Sequence, residues 1–191
     1  MSLDDISAPY VDPAAERILA RIPGHRRRAL FLDRDGVINV DTGYVHSADR
    51  TRWVPGIFEL VKSAYLAELV PIVVTNQAGI ARGYYSEQDF LAYAEWVHAE
   101  FWRADAPLLA TYYCPHHPVA GRGDYLLDCC CRKPEPGMLL RAANDYSIDL
   151  AASVLVGDKQ SDVDAAHAAG VGRAILCVDG DFSTVHFDQL R

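Results

Sequence analysis

Two hydrophobic periods alternate along this chain. Short, nearly continuous apolar runs at 29–32, 72–75, 108–113, 153–156 and 173–178 have the length and β-branched content of buried strands. Between them apolar residues recur at helical spacing. Ile57, Leu60, Val61, Ala64 and Tyr65 follow Pro55, which suits a first helical turn. Phe90, Ala94, Val97 and Phe101 follow Ser86, with Asp89 three residues on to form a capping box; Trp96, His98 and Trp102 read as packing residues. Further helices are predicted over 136–146 and 161–169, the second stopped by Gly170.

Strands alternating with helices predict an α/β fold, a Rossmann-like parallel sheet with helices on both faces and right-handed crossovers. Ligands bind such sheets beyond the carboxyl ends of the strands. Residues 29–191 read as a single domain. Residues 1–28, with Pro9, Pro13, Pro23, a short helix over 14–21 and the basic run at 25–28, read as an N-terminal extension packing on the surface.

The chemistry gathers where the strands end. The first strand runs into Asp33, Arg34, Asp35 and Gly36, and strand alternation would send both acids one way and Arg34 the other. Two carboxylates on one side are costly without a cation, so the stretch points to a metal site in which one acid attacks and the other moves a proton. A polar turn after a core strand is the structural alternative. Thr75-Asn76-Gln77-Ala78-Gly79, Lys133 and Gly157-Asp158-Lys159 lie at or near other strand ends. A carboxylate nucleophile suits phosphoryl transfer, because an aspartyl phosphate divides one hard hydrolysis into two displacements. Asp33 and Asp158 could offer Mg²⁺ hard oxygen ligands, while Lys133 and Thr75 stabilise the equatorial oxygens. Asp35 would protonate the leaving alkoxide and later deprotonate water, a role typically worth ~10²- to 10⁴-fold in rate. Asp162 reads as a helix-capping acid or a neighbour of the metal. The irregular segment Asp41-Thr42-Gly43-Tyr44-Val45-His46 is rich in groups able to bond a sugar.

Charge narrows the partners. A net charge of −8 and a pI near 5.2 argue against nucleic acid or an anionic membrane, so an anionic substrate must meet a local basic cluster. No apolar run approaches the ~18 residues of a membrane span, and the N-terminus lacks the basic-then-apolar order of a signal peptide. A cytoplasmic monomer is expected. The five cysteines, at 114, 129, 130, 131 and 177, cluster as a metal site would rather than as a disulfide framework. Cys114-Pro-His116 and Cys129-Cys-Cys131 offer two short bites, suited to a closed, structural tetrahedral Zn²⁺ site. Cys130 competes with Cys129 for one position and His117 lies beside His116, so the register stays open. Reduced thiols without metal are the bland alternative. A metal knot over 114–131 would hold Arg132 and Lys133 in place.

The set DRDGVIN (33–39), TNQAG (75–79), RKP (132–134) and GDKQSD (157–162) resembles the four motifs of the haloacid dehalogenase phosphatases, and the likeness covers about residues 29–178. Within that superfamily DTGYVH, TNQAGIARG, CPHHP and CRKPEPGM resemble the D-glycero-D-manno-heptose-1,7-bisphosphate 7-phosphatase family. The resemblance implies a small phosphorylated sugar as substrate, in the making of lipopolysaccharide core heptose. It implies Asp33 as nucleophile, Asp35 as acid and base, Mg²⁺ held by Asp33, Asp35 and Asp158, and phosphate contacts from Thr75 and Lys133. It further implies substrate recognition by Arg132, support of acids and phosphate by Lys159, and sugar contacts from Asp41, Thr42, Gly43, Tyr44, Asn76, Gln77 and Ala78. Zn²⁺ would fall to Cys114, His116, Cys129 and Cys131. The short span from Asn39 to Pro55 leaves no room for a helical lid, so an uncapped enzyme is expected. A histidinol-phosphate phosphatase shares these motifs. A polynucleotide 3′-phosphatase conflicts with the acidic chain, and a non-catalytic phosphate-binding module conflicts with the retention of both acids.

Overall fold

Burial follows the two periods in the sequence. The computed structural model describes residues 6–177 and 180–182. Its elements are β1 (Tyr10–Val11), α1 (Ala15–Arg21), β2 (Arg28–Leu32), α2 (Ile57–Leu66), β3 (Leu69–Asn76), α3 (Ala78–Ala81), α4 (Glu87–Arg103), β4 (Ala110–Cys114), α5 (Gly137–Tyr146), β5 (Val154–Gly157), α6 (Gln160–Ala169) and β6 (Arg173–Leu176). The sheet runs β1-β4-β3-β2-β5-β6, parallel except for β1. β2 is central, with β3 on one side and β5 on the other. The crossover direction reverses around it, and that reversal opens a crevice above its carboxyl end.

Strand alternation splits the core between the two faces. Phe31, Ile72 and Leu155 pack beneath one layer with Met138 and Leu139 of α5 and Ala165 of α6. Leu30, Leu32, Val73 and Val156 face the other way, onto Ile57 and Leu60 of α2 and Phe101 of α4. The capping box is present: the Asp89 amide donates to Ser86 Oγ, and the Asp89 carboxylate accepts from the Ser86 amide. Gly170 takes the left-handed conformation that stops α6. β3 starts two residues before Pro71, at a level where β4 has not yet begun to pair.

The N-terminal segment differs from its expectation. Helix α1 lies within the predicted span, but the segment is no surface appendage. Ile6, Ile18 and Ile22 are buried in the core, and β1 adds an antiparallel edge with Tyr10 opposite Thr111. His98 of α4 bridges Asp12 Oδ2 at 3.0 Å and Thr111 Oγ1 at 2.9 Å, which ties this segment to the sheet. Burial would otherwise penalise all three polar groups. Val178, at the end of the last predicted strand, lies outside the described residues. No helix among the described residues is long and apolar enough to cross a membrane.

Candidate active site

Three parallel strands deliver the acids and their partners to one place. β2 stops at Leu32, and the Asp33 amide donates to Val156 O of β5 at 2.9 Å, which pins the first acid over the crevice. Gly36, at φ +93°, then turns the chain; a Cβ there would collide with the Asp158 carboxylate. Only glycine lets the two loops pass so closely. Carboxylate oxygens of Asp33, Asp158 and Asp162 lie within 4.8 Å of one another.

Lys133 closes this cluster. Its ammonium is buried and donates to Asp33 Oδ1 at 2.8 Å and Val74 O at 2.7 Å, and it pairs with Asp162 Oδ1 at 2.6 Å. Its three hydrogens are thereby matched by three acceptors. The backbone of Lys133 is pinned to β3 by Asn76, whose amide donates to Lys133 O and accepts from Lys133 N, both at 3.0 Å. Lys159 reaches Asp158 Oδ2 at 3.4 Å and Asp41 Oδ2 at 3.3 Å. Three carboxylates thus face two ammonium groups. Burial pushes the Asp33 carboxyl up to about 7 against the pull of Lys133, with Asp162 and Asp35 adding to the rise. A divalent cation would relieve that repulsion. Asp158 Oδ1 is buried without a hydrogen-bond partner, which fits an oxygen that would serve as a ligand to such a cation.

Asp35 belongs to a different set. Arg34 does not point away from it, because the strand has ended and alternation no longer governs the loop. The Arg34 guanidinium turns back onto Asp35 Oδ2 at 2.7 Å and onto Val45 O at 2.6 Å, and lies over the Phe90 and Tyr93 rings. Asn39 Nδ2 donates to Asp35 Oδ1 at 2.9 Å, and Gln77 Nε2 lies 3.4 Å from Oδ2. Burial would raise the Asp35 carboxyl, but Arg34 and these bonds hold it below the usual carboxylate range. Its carboxylate is therefore a proton acceptor at rest, outside the cluster of Asp33, Asp158 and Asp162.

Thr75 is set by a short relay. The Tyr85 hydroxyl donates to Gln77 Oε1 at 2.6 Å, and Gln77 Nε2 donates to Thr75 Oγ1 at 2.7 Å. With that oxygen accepting, the Thr75 hydroxyl hydrogen is left for a ligand. Around these groups lies a cavity of about 350 Å³. It is lined by the predicted Asp33, Asp35, Thr75 and Lys133, by Asp41, Gly43 and Tyr44, by Asn76, Gln77 and Ala78, and by Lys159. Thr42, Asp158 and Arg132 stand outside that lining. Gly79, Tyr85 and Ser161 line it without having been assigned to it from sequence, and so does Asp162, which reads in the sequence as a helix-capping acid or a neighbour of the metal. Only Asp162 carried a local signal, its place in the first turn of α6, where its carboxylate also accepts from the Lys159 amide at 3.0 Å.

Beyond the cavity, Cys114, His116, Cys129 and Cys131 gather four buried ligand atoms within 4.8 Å of one another. The sulfurs lie 3.2 to 3.5 Å apart, and His116 Nδ1 lies 3.6 and 3.8 Å from two of them. Those separations are far beyond a disulfide bond of ~2.05 Å. They approach the ~3.8 Å edges of a tetrahedron with arms of ~2.3 Å, so the cluster could hold a metal ion. Cys129, not Cys130, occupies the contested position.

Comparison with known proteins places the whole arrangement. A HAD-hydrolase-like family model matches residues 130–188. The D-glycero-alpha-D-manno-heptose-1,7-bisphosphate 7-phosphatase of Burkholderia mallei is 51% identical over 160 residues, 84% of this chain and 85% of that one. The beta-anomer 7-phosphatase of Vibrio cholerae is 47% identical over 171 residues, 85% of this chain and 92% of that one. The chain belongs to the heptose-1,7-bisphosphate 7-phosphatase family. A D,D-heptose 1,7-bisphosphate phosphatase from B. bronchiseptica, solved with magnesium and phosphate, superposes with a TM-score of 0.72 at 29% identity, covering 85% of this chain and 98% of that one.

In this member of the heptose-bisphosphate phosphatase family, no helical cap stands over the cleft among the described residues. The segments after β2 and after β4 hold only the single 3₁₀ turns Ala48–Arg50 and Gly123–Tyr125 before the next helix. Aromatic contacts join the rim instead. Tyr44 meets Tyr84 edge-on at 4.7 Å, and His46 stacks on Tyr85 at 4.4 Å. The Asp41 carboxylate accepts from the Gly43 amide at 3.0 Å, which shapes the loop that carries Tyr44.

Proposed function

We propose that the chain is a Mg²⁺-dependent phosphatase that removes the 7-phosphate of D-glycero-D-manno-heptose 1,7-bisphosphate through an aspartyl-phosphate intermediate. The observation that carries this reading is the buried Asp33, held by Lys133 beside Asp158 and Asp162 at the floor of the cavity. Asp33 and Asp158 offer Mg²⁺ its oxygen ligands, and the unpartnered Asp158 Oδ1 supports that fit. Bound Mg²⁺ would neutralise the carboxylates and polarise the phosphate.

The remaining steps belong to the side chains. Asp33 attacks phosphorus through the oxygen that Lys133 leaves free, and the bond from phosphorus to the C7 oxygen breaks. Thr75 donates its hydroxyl hydrogen to a phosphoryl oxygen, and Lys133 keeps Asp33 ionised and aimed. Asp35 gives a proton to the leaving C7 oxygen and takes one from the water that hydrolyses the acyl phosphate. Asp35 is ionised at rest on Arg34, Asn39 and Gln77, so the proton that it gives the leaving oxygen is first taken up from the monoanion of the substrate's phosphate, and holding it weakens those bonds. Lys159 stands over Asp158 and Asp41, and Arg132 follows the cysteine knot into Lys133; both are assigned to substrate binding, with Asp41, Thr42, Gly43, Tyr44, Asn76, Gln77 and Ala78. On this reading the enzyme is a cytoplasmic monomer.

Phosphate release from both anomers of the bisphosphate, histidinol phosphate and other sugar phosphates tests the reading, with ³¹P NMR locating the phosphate that is lost. Loss of the 7-phosphate from a heptose bisphosphate, preferred ~10-fold or more over the others, is expected. Faster turnover of histidinol phosphate would overturn the substrate assignment.

The four-residue cysteine and histidine cluster is assigned to structural Zn²⁺. It holds the chain that presents Arg132 and Lys133 where no helix or strand does. Arg132 Nη1 also donates to His116 O at 3.1 Å, so the cation is tied to the knot itself. Zinc removal, or Cys131→Ser, is expected to lower kcat ~10-fold or more while Mg²⁺ affinity changes little. Elemental analysis and steady-state kinetics check this, and unchanged kinetics in verified zinc-free protein would count against it.

A further inference from the structure

Arg34 is as deeply buried as Lys133, yet it stands outside the lining of the substrate cavity to which Asp35 belongs. It lines instead a narrow space on the core side, with Phe90, Tyr93 and Thr111. A charge taken out of water is costly unless its donors are matched. Here two of the three guanidinium nitrogens are not: Nε and Nη1 are buried and make no hydrogen bond. A fold that keeps so costly a group beside its reactive acids gains something from it other than stability.

The bonds of this side chain all leave from Nη2. One hydrogen meets Val45 O at 2.6 Å, and the other is shared between Asp35 Oδ1 at 2.9 Å and Oδ2 at 2.7 Å. A hydrogen that spans both oxygens fixes the plane of the carboxylate and leaves lone pairs for the cavity that Asp35 lines. The guanidinium is itself held by α4, with its carbon 5.6 Å from the Phe90 ring centre and 5.2 Å from that of Tyr93. Tyr93 is tied in turn to Thr51 Oγ1 at 2.7 Å. Asp35 lies outside every helix and strand. Asn39, from the same loop, holds only Oδ1, and Gln77 at 3.4 Å is at the limit of bonding to Oδ2. Arg34 is what connects both oxygens to a long helix.

We propose that Arg34 is a positioning residue for the reaction: without touching substrate, it holds the Asp35 carboxylate at the place and angle from which it protonates the leaving C7 oxygen. The inference rests on the phosphatase reading above and adds a residue to it. The displacement breaks the bond from phosphorus to the C7 oxygen, and the electron pair stays on that oxygen. A proton delivered in that step must come from a group within hydrogen-bond reach, ~2.6–3.2 Å. A carboxylate free to turn in its loop meets that condition only part of the time, and a misplacement of ~1 Å can cost ~10²-fold. Leaving groups differ in their need for the proton. p-Nitrophenolate is a weak base and departs as the anion, phenolate is a stronger base, and the C7 alkoxide is stronger still. The loss of Arg34 should be felt increasingly in that order.

The test is steady-state kinetics of the full-length, metal-loaded protein on p-nitrophenyl phosphate, phenyl phosphate and heptose 1,7-bisphosphate, for wild type, Arg34→Met and Arg34→Lys. In Arg34→Met, kcat on the bisphosphate is expected to fall ~10²-fold or more with a smaller change in KM. On p-nitrophenyl phosphate kcat/KM should fall by less than ~10-fold, and on phenyl phosphate by an intermediate factor. The two phenyl esters are nearly alike in shape, so a wider gap between them reads protonation of the leaving oxygen and not fit. A merely structural role would lower both together. Arg34→Lys returns the charge without the flat face that the rings hold, and should narrow the gap again in part. Equal losses on the two phenyl esters, or an unchanged kcat on the bisphosphate, would overturn the positioning role. Should Arg34→Met fail to fold, Arg34→Lys is read in the same way, with a smaller widening expected. A wild-type protein that turns over the phenyl esters and not the bisphosphate would refute the substrate assignment instead, and the gap between the esters would still decide the role of Arg34.

Discussion

Lys133→Met is expected to cost ~3–5 kcal/mol of folding stability in the metal-free protein and to lower kcat by orders of magnitude. The ammonium is the hub of the buried cluster, matched to Asp33, Asp162 and Val74 O, with its side chain only 2% exposed. Methionine keeps the length of the side chain and removes the charge. Two buried carboxylates then face each other without their cation, and one must take up a proton or the loops must part. Mg²⁺ should return part of the lost stability, because a cation bound by Asp33 and Asp158 offsets the same repulsion. Urea unfolding with and without Mg²⁺ reads both quantities. A loss below ~1 kcal/mol in the metal-free protein would mean that the cluster relaxes without Lys133, and the hub would not be one.

Asp33→Asn should lower phosphate release by ~10⁴-fold or more and leave the fold in place. The amide keeps the carboxylate's shape, and its oxygen can still accept from Lys133. Two changes in stability oppose each other. The substitution removes a charge that burial already pushes toward protonation, and it also weakens the pairing of Lys133. A cooperative melt near that of wild type is therefore compatible with an inactive enzyme. Residual activity above ~1% would refute Asp33 as the nucleophile, since the other acids of the site among the described residues have other roles, Asp158 being assigned to the metal. Asp162 is spent on Lys133 and on the Lys159 amide, and Asp35 is bound by Arg34.

The two variants act on different parts of one device. Lys133 matters to folding because it is buried with its partners, whereas Asp33 matters to turnover because one of its oxygens is free to react. Their effects on stability should not add, since both touch the same ion pair.

Much of this was legible along the chain, because strand and helix periods are local and the chemical groups sit at strand ends. The order of elements, the capping box before α4, the Gly170 stop and the gathering of Asp33, Thr75, Lys133 and Asp158 follow from residues read in sequence. Three matters did not. The burial of Ile6, Ile18 and Ile22 depends on pairing between residues about a hundred positions apart, and a two-residue strand such as β1 has no local signature. The direction of Arg34 was misread because alternation holds only while a strand continues, and β2 ends one residue before Asp33. The choice of Cys129 over Cys130 turns on which sulfur faces Cys114 and His116 across the loop.

The sequence by itself therefore determined the fold class, the four strand-end motifs and the kinds of ligand each metal would need, since these depend on residue type and short spacing. Only the tertiary structure decided which acid pairs with which base: Asp33 and Asp162 with Lys133, Asp35 with Arg34. The reason is physical. Charges buried together must be matched within a few ångströms, and distance along the chain carries no information about that distance in space.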